Sequence, residues 1–89
     1  MGIFEFGVKY VNRCDIKDGK LVCDVYDART QQNLCHIELS PDGGKTARWI
    51  DANACKALLK QKAEIDRLAS QVGVPKASEK IAQMLPDEE

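Results

Sequence analysis

A change of hydrophobic period near residue 51 constrains this chain more than any other feature. Before it, apolar and polar residues alternate. Phe4, Phe6, Val8 and Tyr10 are interleaved with Glu5, Gly7 and Lys9; Leu21, Cys23 and Val25 with Val22, Asp24 and Tyr26; Cys35, Ile37 and Leu39 with His36 and Glu38. Strand side chains project to opposite faces in turn, so each run has one face to bury. After the change, Cys55, Leu58, Leu59, Ile65, Leu68, Ala69 and Val72 recur at helical spacing, leaving Lys56, Lys60, Glu64, Arg67 and Gln71 for water. The expected fold class is α+β: a four-stranded antiparallel sheet of two hairpins, packed on one face by a long C-terminal helix and a second short helix.

Turn and cap residues set the boundaries. Asp18-Gly19 suits a type I′ hairpin, whose central residues both take positive φ. Arg29 to Gln31 reads as a three-residue loop, and Ser40-Pro41-Asp42-Gly43-Gly44 as a second turn. Strands are expected near 3–13, 20–27, 33–39 and 46–50. Asp51 is an N-cap for a helix from about 52 to 72. Gly73 suits its left-handed end, and Pro75 opens a short helix that Pro86 stops. The 89 residues form one domain, with the sheet in 1–50, the long helix in 51–73, the short helix in 75–85 and a frayed acidic tail in 86–89.

These loop lengths predict the register. One face carries the rows Asn12–Val25–Cys35–Trp49 and Cys14–Cys23–Ile37–Ala47. The other carries Val11–Tyr26–Leu34–Ile50 beside Arg13–Asp24–His36–Arg48. A slip by one residue would expose the whole core set. Trp49 is therefore expected in the core, where truncation to Ala costs roughly 3–5 kcal/mol. Tyr26 and Leu34 are expected side by side on the uncovered face, where replacing both would spare stability.

Charge and cysteine content narrow the function classes. Thirteen Lys and Arg against fourteen Asp and Glu give a net charge of −1, which argues against a basic nucleic-acid tail or an acidic DNA mimic. No apolar run reaches the roughly 18 residues of a membrane span. The start, Met1-Gly2-Ile3-Phe4-Glu5-Phe6, lacks a basic export signal, and Phe6 stands where a myristoylation signal takes Ser or Thr. A cytoplasmic location follows. Cys14, Cys23, Cys35 and Cys55 lack the close pairing of zinc ligands. Reduced cytoplasmic thiols then predict four free cysteines, with a zinc-stabilised domain as an alternative. No cofactor is expected.

The uncovered face is the foremost candidate site. Val11, Tyr26, Leu34 and Ile50 form an apolar stripe beside Arg13, Asp24, His36 and Arg48, the pattern of a protein interface. His36 is the single histidine. Cys35 points to the opposite face, so a Cys–His catalytic pair is not formed, and no enzymatic role is expected. Gly43-Gly44-Lys45-Thr46 lacks the earlier glycine of a phosphate-binding loop, because Leu39 stands there, and a strand follows it. The chain thus reads as a non-enzymatic protein–protein interaction module: a subunit, adaptor or inhibitor of a larger complex, or one half of a homodimer.

A second reading comes from Leu68-Ala69-Ser70-Gln71-Val72-Gly73-Val74-Pro75, which resembles the turn of a helix-turn-helix. Ala69 supplies close packing, Gly73 the turn and Val74 the apolar anchor, whereas Glu79 stands where the recognition helix buries an aliphatic residue. The resemblance implies a DNA-binding regulator using residues 66–82. Arg67, Lys76 and Lys80 would then touch phosphate, within a stretch (52–83) that holds six basic and three acidic residues.

Overall fold

The computed structural model describes residues 9–85. Four strands come first: β1 Tyr10–Lys17, β2 Lys20–Asp27, β3 Asn33–Leu39 and β4 Lys45–Trp49. They pair antiparallel in the order β1-β2-β3-β4. The helical half follows as α1 Ala52–Leu58, a 3₁₀ turn Leu59–Gln61, α2 Lys62–Gln71 and α3 Ala77–Met84. The α+β class is as expected, with helices on one sheet face. The expected strand over residues 3–8 lies outside the described residues.

The register matches the expected one over most of the sheet. Cys14 faces Cys23, Asn12 faces Val25, Val25 faces Cys35, Cys35 faces Trp49 and Ile37 faces Ala47. Asp18 and Gly19 both take positive φ, 52° and 75°, as a type I′ turn requires. One pairing is corrected. The ladder shifts between Val25 and Tyr26, so Tyr26 faces Asn33 and Leu34 is the extra residue of a β-bulge. The turn behind it explains the shift. Asp27 Oδ1 accepts the N–H groups of Arg29 and Thr30 at 2.8 and 3.0 Å, and Gln31 adopts φ 66°. β2 and β3 keep their expected bounds and leave residues 28–32 between them, but the turn closes with the Asp27 N–H on the Gln32 carbonyl at 2.8 Å, one residue off the expected register.

The covered face holds the core. Leu21, Cys23, Val25, Cys35, Ile37 and Leu39 from the sheet meet Ala54, Cys55, Leu58, Ile65, Ala69, Ala77 and Ile81 from the helices. Asp51 caps α1 by accepting the Asn53 N–H at 3.0 Å. The long helix runs without a gap from Ala52 to Gln71, close to the expected span, with one tightened turn where Leu59–Gln61 is 3₁₀. Residues 60–64 are all exposed. No buried side chain there holds the backbone in α register, and the tighter turn lets both Leu58 and Ile65 reach the core. Gly73 takes φ 80° after α2, as expected of a C-terminal glycine.

The last helix starts at Ala77, two residues past the expected Pro75. Lys76 precedes it at φ 54° and offers no side-chain cap. The cap comes from α2: Asp66 accepts the Ser78 N–H at 2.9 Å and the Ser78 hydroxyl at 3.0 Å. That carboxylate does for α3 what an N-cap side chain does locally. The stop assigned to Pro86 lies outside the described residues.

The expectation of four free thiols is overturned. Cys14 is bonded to Cys23 and Cys35 to Cys55, so none of the four sulfurs is left as a thiolate ligand for zinc. The first bridge joins neighbouring strands, and the second ties β3 to α1. Trp49 also departs from expectation. It sits on the short edge strand β4, is 38% exposed, and stays out of the core cluster.

Candidate functional site

Alternation sends Val11 and Arg13 of β1, Val22, Asp24 and Tyr26 of β2, His36 and Glu38 of β3, and Thr46 and Arg48 of β4 to the face away from the helices. The row Arg13–Asp24–His36–Arg48 is formed as expected. Ile50, one residue past β4, donates its N–H to the Leu34 carbonyl at 3.0 Å and is 65% exposed. Leu34 is the member that fails. The bulge removes it from Tyr26, and it is 8% exposed within the core cluster. Asn33 takes its place beside Tyr26, while Val11, 43% exposed, faces Tyr26 from β1 as expected.

The polar centre of the face is a bridged imidazole. His36 Nδ1 lies 2.6 Å from Asp24 Oδ1, and Nε2 lies 2.8 Å from Glu38 Oε2. Asn33 Nδ2 donates to Asp24 Oδ1 at 3.0 Å, and Lys20 Nζ lies 3.6 Å from Glu38. Burial pushes the His36 pKa down, but the hydrogen bonds and charges of Asp24 and Glu38 outweigh it, and the net shift is upward. Glu38 is shifted down, first by its bond to His36, against a smaller opposing effect of burial, with Lys20 adding to the fall. With both ring nitrogens within hydrogen-bond distance of carboxylates, the imidazole links β2 and β3, and it does so as a cation when protonated. The two arginines expected beside His36 do not reach it. Arg13 and Arg48 make no ion pair among the described residues, and Glu38 holds the ring instead. The sequence contained that signal, because residues two apart on one strand share a face.

Beside this network, Val11, Arg13, Tyr26, Asp27, Ala28 and Gln31 enclose a surface cleft of about 370 Å³. Three of these come from the β2–β3 connection or its entry and were not singled out from sequence. A turn of that length becomes a wall only when the strand ends are known.

The other candidate residues lie around the α2–α3 junction. Arg67 is exposed, and its Nη2 is 2.6 Å from Glu64 Oε2 one turn earlier. Lys76 is exposed at the left-handed residue before α3, and Lys80 is half-buried within it. Val74 is 2% exposed, as an anchoring residue should be, while Glu79 faces water.

No protein-family profile, curated protein or solved structure matches this chain. No helix among the described residues is long and apolar enough to cross a membrane.

Proposed function

We propose that this chain is a small non-enzymatic interaction module that docks another protein on its open sheet face. One observation carries the reading. Val11 and Ile50, 43% and 65% exposed, stand on the open face at the same end of the sheet but at its two opposite edges, with Tyr26 of β2 between them. Exposed apolar groups along a face with charged neighbours match the anatomy of an interface core and rim. A subunit, an adaptor and an inhibitor would all use such a face, and so would a homodimer. The two disulfides favour an oxidising compartment over the cytoplasm.

Cross-linking followed by peptide mass spectrometry tests the reading. Partner cross-links from the native host should map to Lys9, Lys17 and Lys20, which rim the open face. They should disappear in a Val11→Asp/Ile50→Asp variant that melts like the parent. Cross-links confined to Lys62, Lys76 and Lys80, or persisting in the variant, would overturn it.

The turn geometry favours one further reading, nucleic-acid binding by the α2–α3 segment, because Gly73 and Val74 adopt the roles assigned to them. Salt separates the two. Phosphate contacts release counterions and weaken steeply as salt rises, whereas a largely apolar face responds far less.

A further inference from the structure

Among the described residues, the edge strand β1 presents two recognition elements at once: uncovered backbone groups and an uncompensated guanidinium. In an antiparallel pair, alternate residues turn their N–H and C=O toward the partner strand and the rest turn them outward. Lys9 accepts the Ala28 N–H at 3.0 Å, so odd-numbered residues face β2. The Ile16 N–H is taken by Asp15 Oδ1 at 2.9 Å, which confirms that even-numbered residues face outward. Asp15 thereby blunts the edge near the turn. Among the described residues, nothing covers the outward backbone groups of Asn12 and Cys14 in this way.

Arg13 lies between those two residues, with its side chain on the open face. Among the described residues, the carboxylates around it are committed elsewhere: Asp15, two residues on along the same face, accepts the Ile16 N–H. Asp24, directly across the ladder, is held by His36 and Asn33. Asp27 is turned into its own loop by Arg29 and Thr30. Arg13 has no ion-pair partner among the described residues, and the cleft beside it is walled by Val11 and Tyr26.

We propose that β1 takes an added strand from a partner protein, one carrying Asp or Glu two residues from an apolar residue. Residues two apart share a face. A carboxylate opposite Arg13 therefore places the apolar neighbour opposite Val11, where it leans toward Tyr26. Backbone pairing at Asn12 and Cys14 supplies affinity, and the charge-assisted pair supplies selectivity. The proposal rests on the open-face reading and names the partner chemistry for one edge of that face.

The test uses the whole protein, isotope-labelled, with end-capped Thr-rich heptapeptides carrying Val and Glu two positions apart, and Gln replacing Glu in the control. The Glu peptide should bind about tenfold tighter than the Gln peptide. The preference should vanish in Arg13→Gln, which lies on the surface and should melt normally. Amide shifts should centre on Asn12 and Cys14. Equal binding of both peptides, no binding of either, or a preference that survives Arg13→Gln would overturn the proposal. Shifts confined to β4 and Ile50 would overturn it while leaving the open-face reading intact. Shifts confined to the helices would overturn both.

Discussion

Cys23, Val25, Cys35 and Ile37 on the covered face of the sheet are at most 1% exposed, while on the open face Val11 reaches 43%. The same period-2 alternation produced both sides. On the covered side, burial comes from α1, α2 and α3 and from a disulfide that binds β3 to α1. On the open side, Val22 is 8% exposed without belonging to the core cluster, and a polar lattice around His36 lies beside Val11 and Tyr26. Alternation divides a strand's residues into two sets, and the helices decide which set becomes core. The stabilities of the two faces should therefore differ in size and in kind.

The largest contrast is expected in chemical denaturation. Leu58→Ala and Ile37→Ala should each cost about 2–5 kcal/mol, because each leaves a cavity at a site no more than 1% exposed. Val11→Ser on the other face should stay within about 0.5 kcal/mol. Leu34→Ala belongs with the first group, and Trp49→Ala should cost less than it. Similar losses at Val11 and Leu58 would break the division between the faces.

Removing the covered bridge with Cys35→Ser/Cys55→Ser should cost about 3 kcal/mol, from the loop entropy restored to the unfolded chain. The two bridges should also separate under reductant. Cys14 is half-buried, while Cys35 and Cys55 are both 0% exposed. Timed thiol alkylation should thus label Cys14 and Cys23 first; simultaneous labelling would show global unfolding as the only route.

A smaller effect, about 1 kcal/mol, is expected for Asp66→Ala, which uncaps α3 without touching the sheet. Hydrogen exchange should quicken in residues 77–84 and stay unchanged in β1–β4. The smallest effect concerns the open-face lattice. The folded pKa of His36 is raised, so its contribution is complete below the free value of 6.5 and is lost as pH rises through the folded value. Glu38 is lowered, so its contribution is present above 4.5 and is lost as pH falls through its folded value. Melting temperature should therefore peak between those limits and decline on both sides. His36→Gln should flatten the alkaline decline.

Read alone, the sequence determined what depends on neighbours along the chain. The switch of period at Asp51 determined the order of strands and helices. Asp18-Gly19 and the Ser40–Gly44 turn set the parity, which placed Cys14 opposite Cys23 and Arg13, Asp24, His36 and Arg48 in one row. Local backbone preference suffices for such features, because turn geometry and side-chain alternation propagate through a ladder without outside help. The tertiary structure decided what depends on elements distant in sequence. Cys35 meets Cys55 only because α1 lies against β3, and Asp66 caps α3 only because α2 packs beside it. Leu34 enters the core because a bulge fed by the Asp27 turn changes its register. Trp49 remains half outside because β4 is a short edge strand. Each of these turns on the free energy of packing between remote segments, which no local pattern encodes.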